Sequence, residues 1–177
     1  MALNLRPDRS GQATAFTSFA PIADGQEEPL RARLEGYTPQ TSPLAATPGT
    51  HFGRWVIVAD FVHDAPERDP LERPHLLFTS NFDGELDPYL RALAALPEAQ
   101  ALWAHCAGAP APGDPDALAG YLRRSRQPTG FFVAAYGQAT VPEVVASLGQ
   151  RERVIALAID AQAMTPAELR RAFAERL

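Results

Sequence analysis

The sequence contains no lysine: all 16 of its basic residues are arginine. That excludes a lysine Schiff base, a lysine anchoring pyridoxal and the lysine of a phosphate-binding P-loop. It has one cysteine, Cys106, which excludes an internal disulfide and any CxxC redox or zinc pair. No stretch approaches ~20 consecutive apolar residues, so no membrane-spanning helix is expected. The first 13 residues are polar, with Arg6 and Arg9 but no apolar run behind them, and do not read as a secretory signal. Positive charge is also in short supply. With 21 acidic residues the formal net charge is −5, which argues against nucleic acid as the main partner. The nucleotide, serine-hydrolase and zinc-protease motifs GxGxxG, GxSxG and HExxH are absent.

What is present is enough for one core. A 19.1 kDa chain folds to roughly 8,400 Å² of surface from roughly 28,000 Å² extended, about 70% burial. The length favours a single domain over residues 1–177, with 1–13 a flexible N-terminus, a core over about 14–150 and a helical extension over 151–177. Many of the 17 prolines cluster (Pro39, Pro43, Pro48; Pro66, Pro70, Pro74; Pro110, Pro112, Pro115) between patterned segments and mark loops. With a lone thiol, a reducing cytoplasm is the expected location.

Residues 14–21 read as a first strand, followed by a helix through Leu30, Leu34 and Tyr37 that Asp24 and Glu27 open as a capping-box variant. Residues 52–62 (FGRWVIVADFV) are the densest β-branched and aromatic run, and 75–82 (HLLFTSNF) its hairpin partner. Leu86, Leu90, Leu93 and Leu96 recur at helical spacing, with Asp87-Pro88 as N-cap and N1. Short helices over 97–106 and 114–126 follow, then a fourth strand at 131–136 (FFVAAY). Thr140–Glu143 and Thr165–Glu168 are capping boxes opening helices that run to about Leu148 and to the C-terminus. Residues 154–159 (VIALAI) fit either a strand or a helix, with helix favoured.

Without its inserted helices this order is βαββαβ. The expected fold is α+β: a ferredoxin-like antiparallel sheet with helices on one face, plus inserted and C-terminal helices. In the second strand Trp55, Ile57, Ala59 and Phe61 point one way and Phe52, Arg54, Val56 and Val58 the other. Two largely apolar faces need two covers, so a homodimer with its sheets face to face is expected; the chain's own extra helices are the other possible cover.

Four segments carry a resemblance: THFGRWVIV from Thr50, LLFTSNFDG from Leu76, LWAHCAGAP from Leu102 and FFVAAYG from Phe131. They resemble a family of bacterial ferredoxin-like domains grouped with dimeric α+β barrels, with patterns like HFARWV, LLFxSNFDG, a GHCEGYP-like run and FYVAYPG. The likeness spans about Thr14 to Gln150. It implies the dimeric α+β barrel-like fold, and no settled activity comes with it. The chain departs from the pattern at Gly53, where alanine is usual, and at Ala107 and Ala109, where glutamate and tyrosine are. The wider superfamily implies oxidoreductase chemistry, either a cofactor-free monooxygenase or a haem peroxidase-like activity. His105 is the residue that a haem reading would use.

The candidate catalytic residues are His51, Arg54, Asp83 and His105; the candidate ligand-binding residues are Asn81, Trp55, Trp103 and Tyr136. Arg54 on an apolar face calls for a carboxylate, either an acid such as Asp83 or an anionic ligand. Asn81, Asp83 and Gly84 are also ordinary turn chemistry, and Asp83 could cap the next helix. His105 and Cys106 lie about 100° apart on a helix and cannot readily share a metal, so no metal site is expected and no cofactor is assigned. Cys106 beside Trp103 reads as a small buried hydrophobe. The aromatics are as well explained by a core as by a cleft. Arg123, Arg124 and Arg126 suit a helix C-terminus rather than a nucleic-acid patch. Two function classes follow: a small-molecule-binding domain, which the superfamily resemblance would make an oxidoreductase, or a non-catalytic homodimeric interaction module.

Overall fold

A computed structural model describes residues 7–61 and 69–176. Of the charged, proline-rich stretch Asp64–Pro74, expected to be a loop, residues 64–68 lie outside these residues, and residues 69–74 are strand instead. In chain order the elements are β1 (Arg9–Ser10), β2 (Ala13–Pro21), α1 (Glu27–Glu35), α2 (Pro43–Ala46), β3 (Thr50–Phe61) and β4 (Asp69–Asp83). Helices α3 (Leu86–Ala94), α4 (Pro97–Trp103), α5 (Pro115–Arg124), α6 (Val141–Asp160) and α7 (Pro166–Arg176) follow, with a single 3-10 turn between the last two. The protein is therefore mixed α+β, with a four-stranded antiparallel sheet ordered β1-β2-β4-β3. No helix among the described residues is long and apolar enough to cross a membrane.

The chain divides into two compact units, Met1–Gln138 and Ala139–Leu177. The division expected at 150/151 instead falls inside α6, because residues 154–159 continue that helix. In the second unit both capping boxes form. Thr140 and Thr165 each accept from the backbone N–H of the glutamate three residues on, and each glutamate reaches back to the threonine. The second unit buries Leu157 and Ala172 among its described residues.

In the first unit alternation along the strands decides what is buried. On β2 Phe16, Ser18 and Ala20 face inward, and on β4 Leu76, Phe78, Ser80 and Phe82 do. Leu90 and Leu93 of α3, Leu102 and Trp103 of α4 and Leu118 and Leu122 of α5 pack on this face. Trp103 has no exposed surface and stands edge-on to Phe78, with ring centroids 5.1 Å apart. Gly53 also faces this side. A Cβ there would sit 2.5 Å from Leu44 Cδ1 of α2, so a larger residue would have to displace the tip of that leucine.

The expected fourth strand does not form: residues 131–136 are irregular, and Phe131, Val133 and Tyr136 are exposed. The reason lies at the outer edge of β2, whose backbone groups are already taken. Asp8 O receives Ala15 N–H, Ser125 O receives Phe19 N–H, Gln127 N–H donates to Thr17 O, and Ala107 N–H donates to Pro21 O. Short pieces of chain thus pair where a long strand was expected. Arg126, bridged to Ser18, anchors its piece on the buried Asp8 carboxylate at 2.8 Å. Residues 9–10, expected to be flexible, supply the fourth strand of the sheet.

Two helix starts also differ from expectation. Asp24 does not cap α1; Gln26 stands at the N-cap, and its side chain is committed to His105. Helix α3 opens at Leu86 after Glu85, two residues before Pro88.

Candidate functional site

The face of the sheet opposite α3, α4 and α5, called the open face below, exposes Phe52, Arg54 and Val56. Residues paired across an antiparallel ladder share a face, so the register groups its side chains into rows. Thr17, Thr79 and Arg54 form one, Ala15, Asn81 and Phe52 the next, and Ala13 and Asp83 the one beyond. In the other direction Phe19, Leu77 and Val56 form a row, followed by Pro21, His75 and Val58. Successive rows are roughly 6.5–7 Å apart. The Phe19 and His75 rings stack at 4.3 Å.

Arg54 is exposed and makes no hydrogen bond or ion pair to any described residue. It does not reach Asp83, which was one candidate partner. Asp83 Oδ1 lies 2.7 Å from His51 Nε2, and both side chains are largely shielded. A register shift between Thr50 and Phe52 frees His51 from strict alternation and lets its ring meet a carboxylate on the open face. The pair occupies the Asp83 carboxylate, which caps no helix, and leaves the guanidinium of Arg54 available. A shallow concavity of about 470 Å³ is lined by Phe52, Gly53, Arg54, Thr79, Ser80 and Asn81.

The site rests on a buried hydroxyl network. Tyr89 from α3, buried and stacked on Phe82, has its hydroxyl 2.6 Å from Ser80 Oγ and 3.2 Å from Thr50 Oγ1. Ser80 in turn donates to the carbonyl of Phe52 at 3.2 Å. The strand segment that carries His51 and Arg54 is thus tied to the core from beneath. Burial pushes the Tyr89 phenol above its ordinary range, against the lowering effect of its hydrogen bonds to Ser80 and Thr50, which keeps it a neutral donor.

His51, Arg54, Asn81 and Asp83 therefore share one face; the other candidates do not. His105 is on the helical side, its Nδ1 2.9 Å from Gln26 Oε1, in a cleft of about 420 Å³ lined also by Pro29, Ala32, Arg33, Gly36 and Tyr37. Desolvation, and secondarily the charge of Arg33, hold its pKa below the ordinary histidine value. Trp103 belongs to the core, and Trp55 packs on Phe78 and Trp103. The indole N–H groups of both are buried without a hydrogen-bond partner among the described residues. Neither tryptophan lines the concavity at Arg54 or the cleft at His105, and the alternation of β3 turns Trp55 towards the helices. Tyr136 is exposed on the irregular segment.

The cleft at His105 does not fit a haem. Tyr37 is its one aromatic residue, and the tryptophans that could have walled a macrocycle are in the core. No group of three metal-ligating side chains occurs among the described residues. Cys106 is buried, and burial pushes its thiol up to about 12, in keeping with a packed hydrophobe rather than a nucleophile.

Thr17 and Thr79, which share the Arg54 row, were not singled out from the sequence. Their signal was the strand alternation, which shows a face only once the register is known. Gln26 and Arg33 beside His105 come from a distant helix and left no local signal.

No family model matches the chain, and comparison with curated proteins and with solved structures finds no match.

Proposed function

We propose that this protein is a small-molecule-binding domain, homodimeric and cytoplasmic, whose ligand carries a carboxylate or similar planar anion held on the open face by Arg54. The observation that carries this reading is a guanidinium with no partner among the described residues, set in a concavity that Phe52, Thr79 and Asn81 also line. A free arginine fork presents donors that match a carboxylate in two-point geometry. Thr17, Thr79 and Asn81 supply hydroxyl and amide groups in the same and the adjoining row, and the exposed Phe52 ring offers an apolar wall. In this reading the fold is ferredoxin-like, with its closing strand reduced to the bridge between Ser18 and Arg126.

The test is protein NMR with acetate, succinate and benzoate as probes. Shift changes confined to the amides of Phe52, Thr79 and Asn81 are expected. Arg54→Ala should raise the dissociation constant about tenfold or more, since a charge-assisted contact is worth about 1.5–3 kcal/mol. Arg54→Lys should keep part of the affinity, a point charge replacing a fork. Unmoved amides with all three probes, or equal binding by Arg54→Ala, would overturn the reading in favour of a non-catalytic interaction module.

A further inference from the structure

Helix α6 carries apolar surface that the fold leaves exposed. Val144, Val145, Leu148, Ile155 and Ile159 have between 39% and 63% of their surface open. At 3.6 residues per turn these five fall within an arc of about 100°, with the buried Leu157 about half a turn away. A helical unit of about 40 residues rarely sustains itself without a staple or a partner, and this one buries only Leu157 and Ala172 among its described residues.

The stripe is symmetric end to end. Val144 and Ile159, Leu148 and Ile155, and Arg151 and Glu152 are each centred on the same point, between residues 151 and 152. Set against a second α6 running the opposite way, Val144 meets Ile159, Leu148 meets Ile155, and Arg151 meets Glu152, each pair occurring twice. This is the self-complementarity that a two-fold interface requires, where residue i meets j and j meets i. In that register the central charges are complementary, Arg151 facing Glu152, while Arg153 faces the neutral Gln150. A partner of another kind would have no need of the palindrome.

The area is also of the right size. At roughly 160–190 Å² for a fully open aliphatic residue, the stripe offers roughly 450 Å² of apolar surface per chain. A standard interface of about 800 Å² per partner, a little over half apolar, needs about that much.

We infer that α6 is the self-association element of this protein, pairing antiparallel with α6 of a second copy about an axis between Arg151 and Glu152. This rests on the homodimeric part of the proposed function and says which surface the partner uses.

Sedimentation of the full-length chain over a wide concentration range tests it, with circular dichroism to confirm folding. The wild type should dimerise, and Leu148→Glu should weaken association at least about a hundredfold, as loss of a central apolar anchor does. Arg151→Glu alone should weaken it about tenfold by setting two like charges together, and Arg151→Glu with Glu152→Arg should restore it. If Leu148→Glu unfolds the chain, the charge-exchange set decides alone. A dimer that survives Leu148→Glu but is lost in Phe52→Glu overturns the α6 inference and leaves a sheet-to-sheet homodimer standing. A monomer at every concentration overturns both.

Discussion

Replacing Tyr89 by phenylalanine removes one oxygen atom from beneath the candidate site and leaves the ring in place. The ring is stacked on Phe82 at 3.7 Å with planes 3° apart, so the packing term stays nearly constant. What is lost is the hydroxyl that links Ser80 and Thr50. Ser80 keeps the Phe52 carbonyl as acceptor, and Thr50 keeps the Thr47 carbonyl at 2.9 Å, so no buried donor is orphaned. The cost therefore belongs with an ordinary buried hydrogen bond, about 1 kcal/mol, rather than with a stranded polar group at up to about 3 kcal/mol. Ser80→Ala removes the middle of the same chain and should cost a similar amount. Because the two share one bond, the double variant should cost less than the two singles together by about 0.5–1.5 kcal/mol. The assay is urea unfolding, where about 1 kcal/mol lowers the midpoint by roughly 0.5 M at a slope of about 2 kcal/mol/M, with the slope unchanged. Strict additivity, or a Tyr89→Phe loss near 3 kcal/mol, would refute the hydroxyl network as the support of β3.

Two more outcomes follow from the titrating groups. Glu143 and Glu168 are held below the ordinary glutamate value by hydrogen bonds from Thr140 and Thr165. A folded value below the unfolded one stabilises above the unfolded value of 4.5 and stops doing so as pH falls through the folded value. The helicity of α6 and α7 should thus hold from neutral pH down to that region and decline below it. Thr140→Ala, costing about 1 kcal/mol of helix stability, should remove the α6 share; acid-insensitive helicity in wild type would count against the caps. The Cys106 thiol, buried and raised to about 12, should react with a disulfide reagent at pH 8 only after unfolding; fast labelling of native protein would contradict its place in the core.

The sequence alone determined the local elements. Period-two alternation and β-branched density located β2, β3 and most of β4, and leucines at helical spacing located α3. The threonine–glutamate boxes located the starts of α6 and α7, because a cap is a contact between neighbours in the chain. Alternation also set Arg54 and Trp55 on opposite faces of β3 before any partner was known. Tertiary structure decided whatever depended on competition for a shared partner. FFVAAY has every local mark of a strand, yet residues 8, 107, 125 and 127 hold the edge of β2 first, and an edge's backbone groups can be satisfied only once. Asp83 could serve a turn, a helix cap or an arginine, and the register shift at His51 gave it to the imidazole. Asn81 joins His51, Arg54 and Asp83 on one face while His105 stays apart, because strand pairing places residues by register and not by distance along the chain.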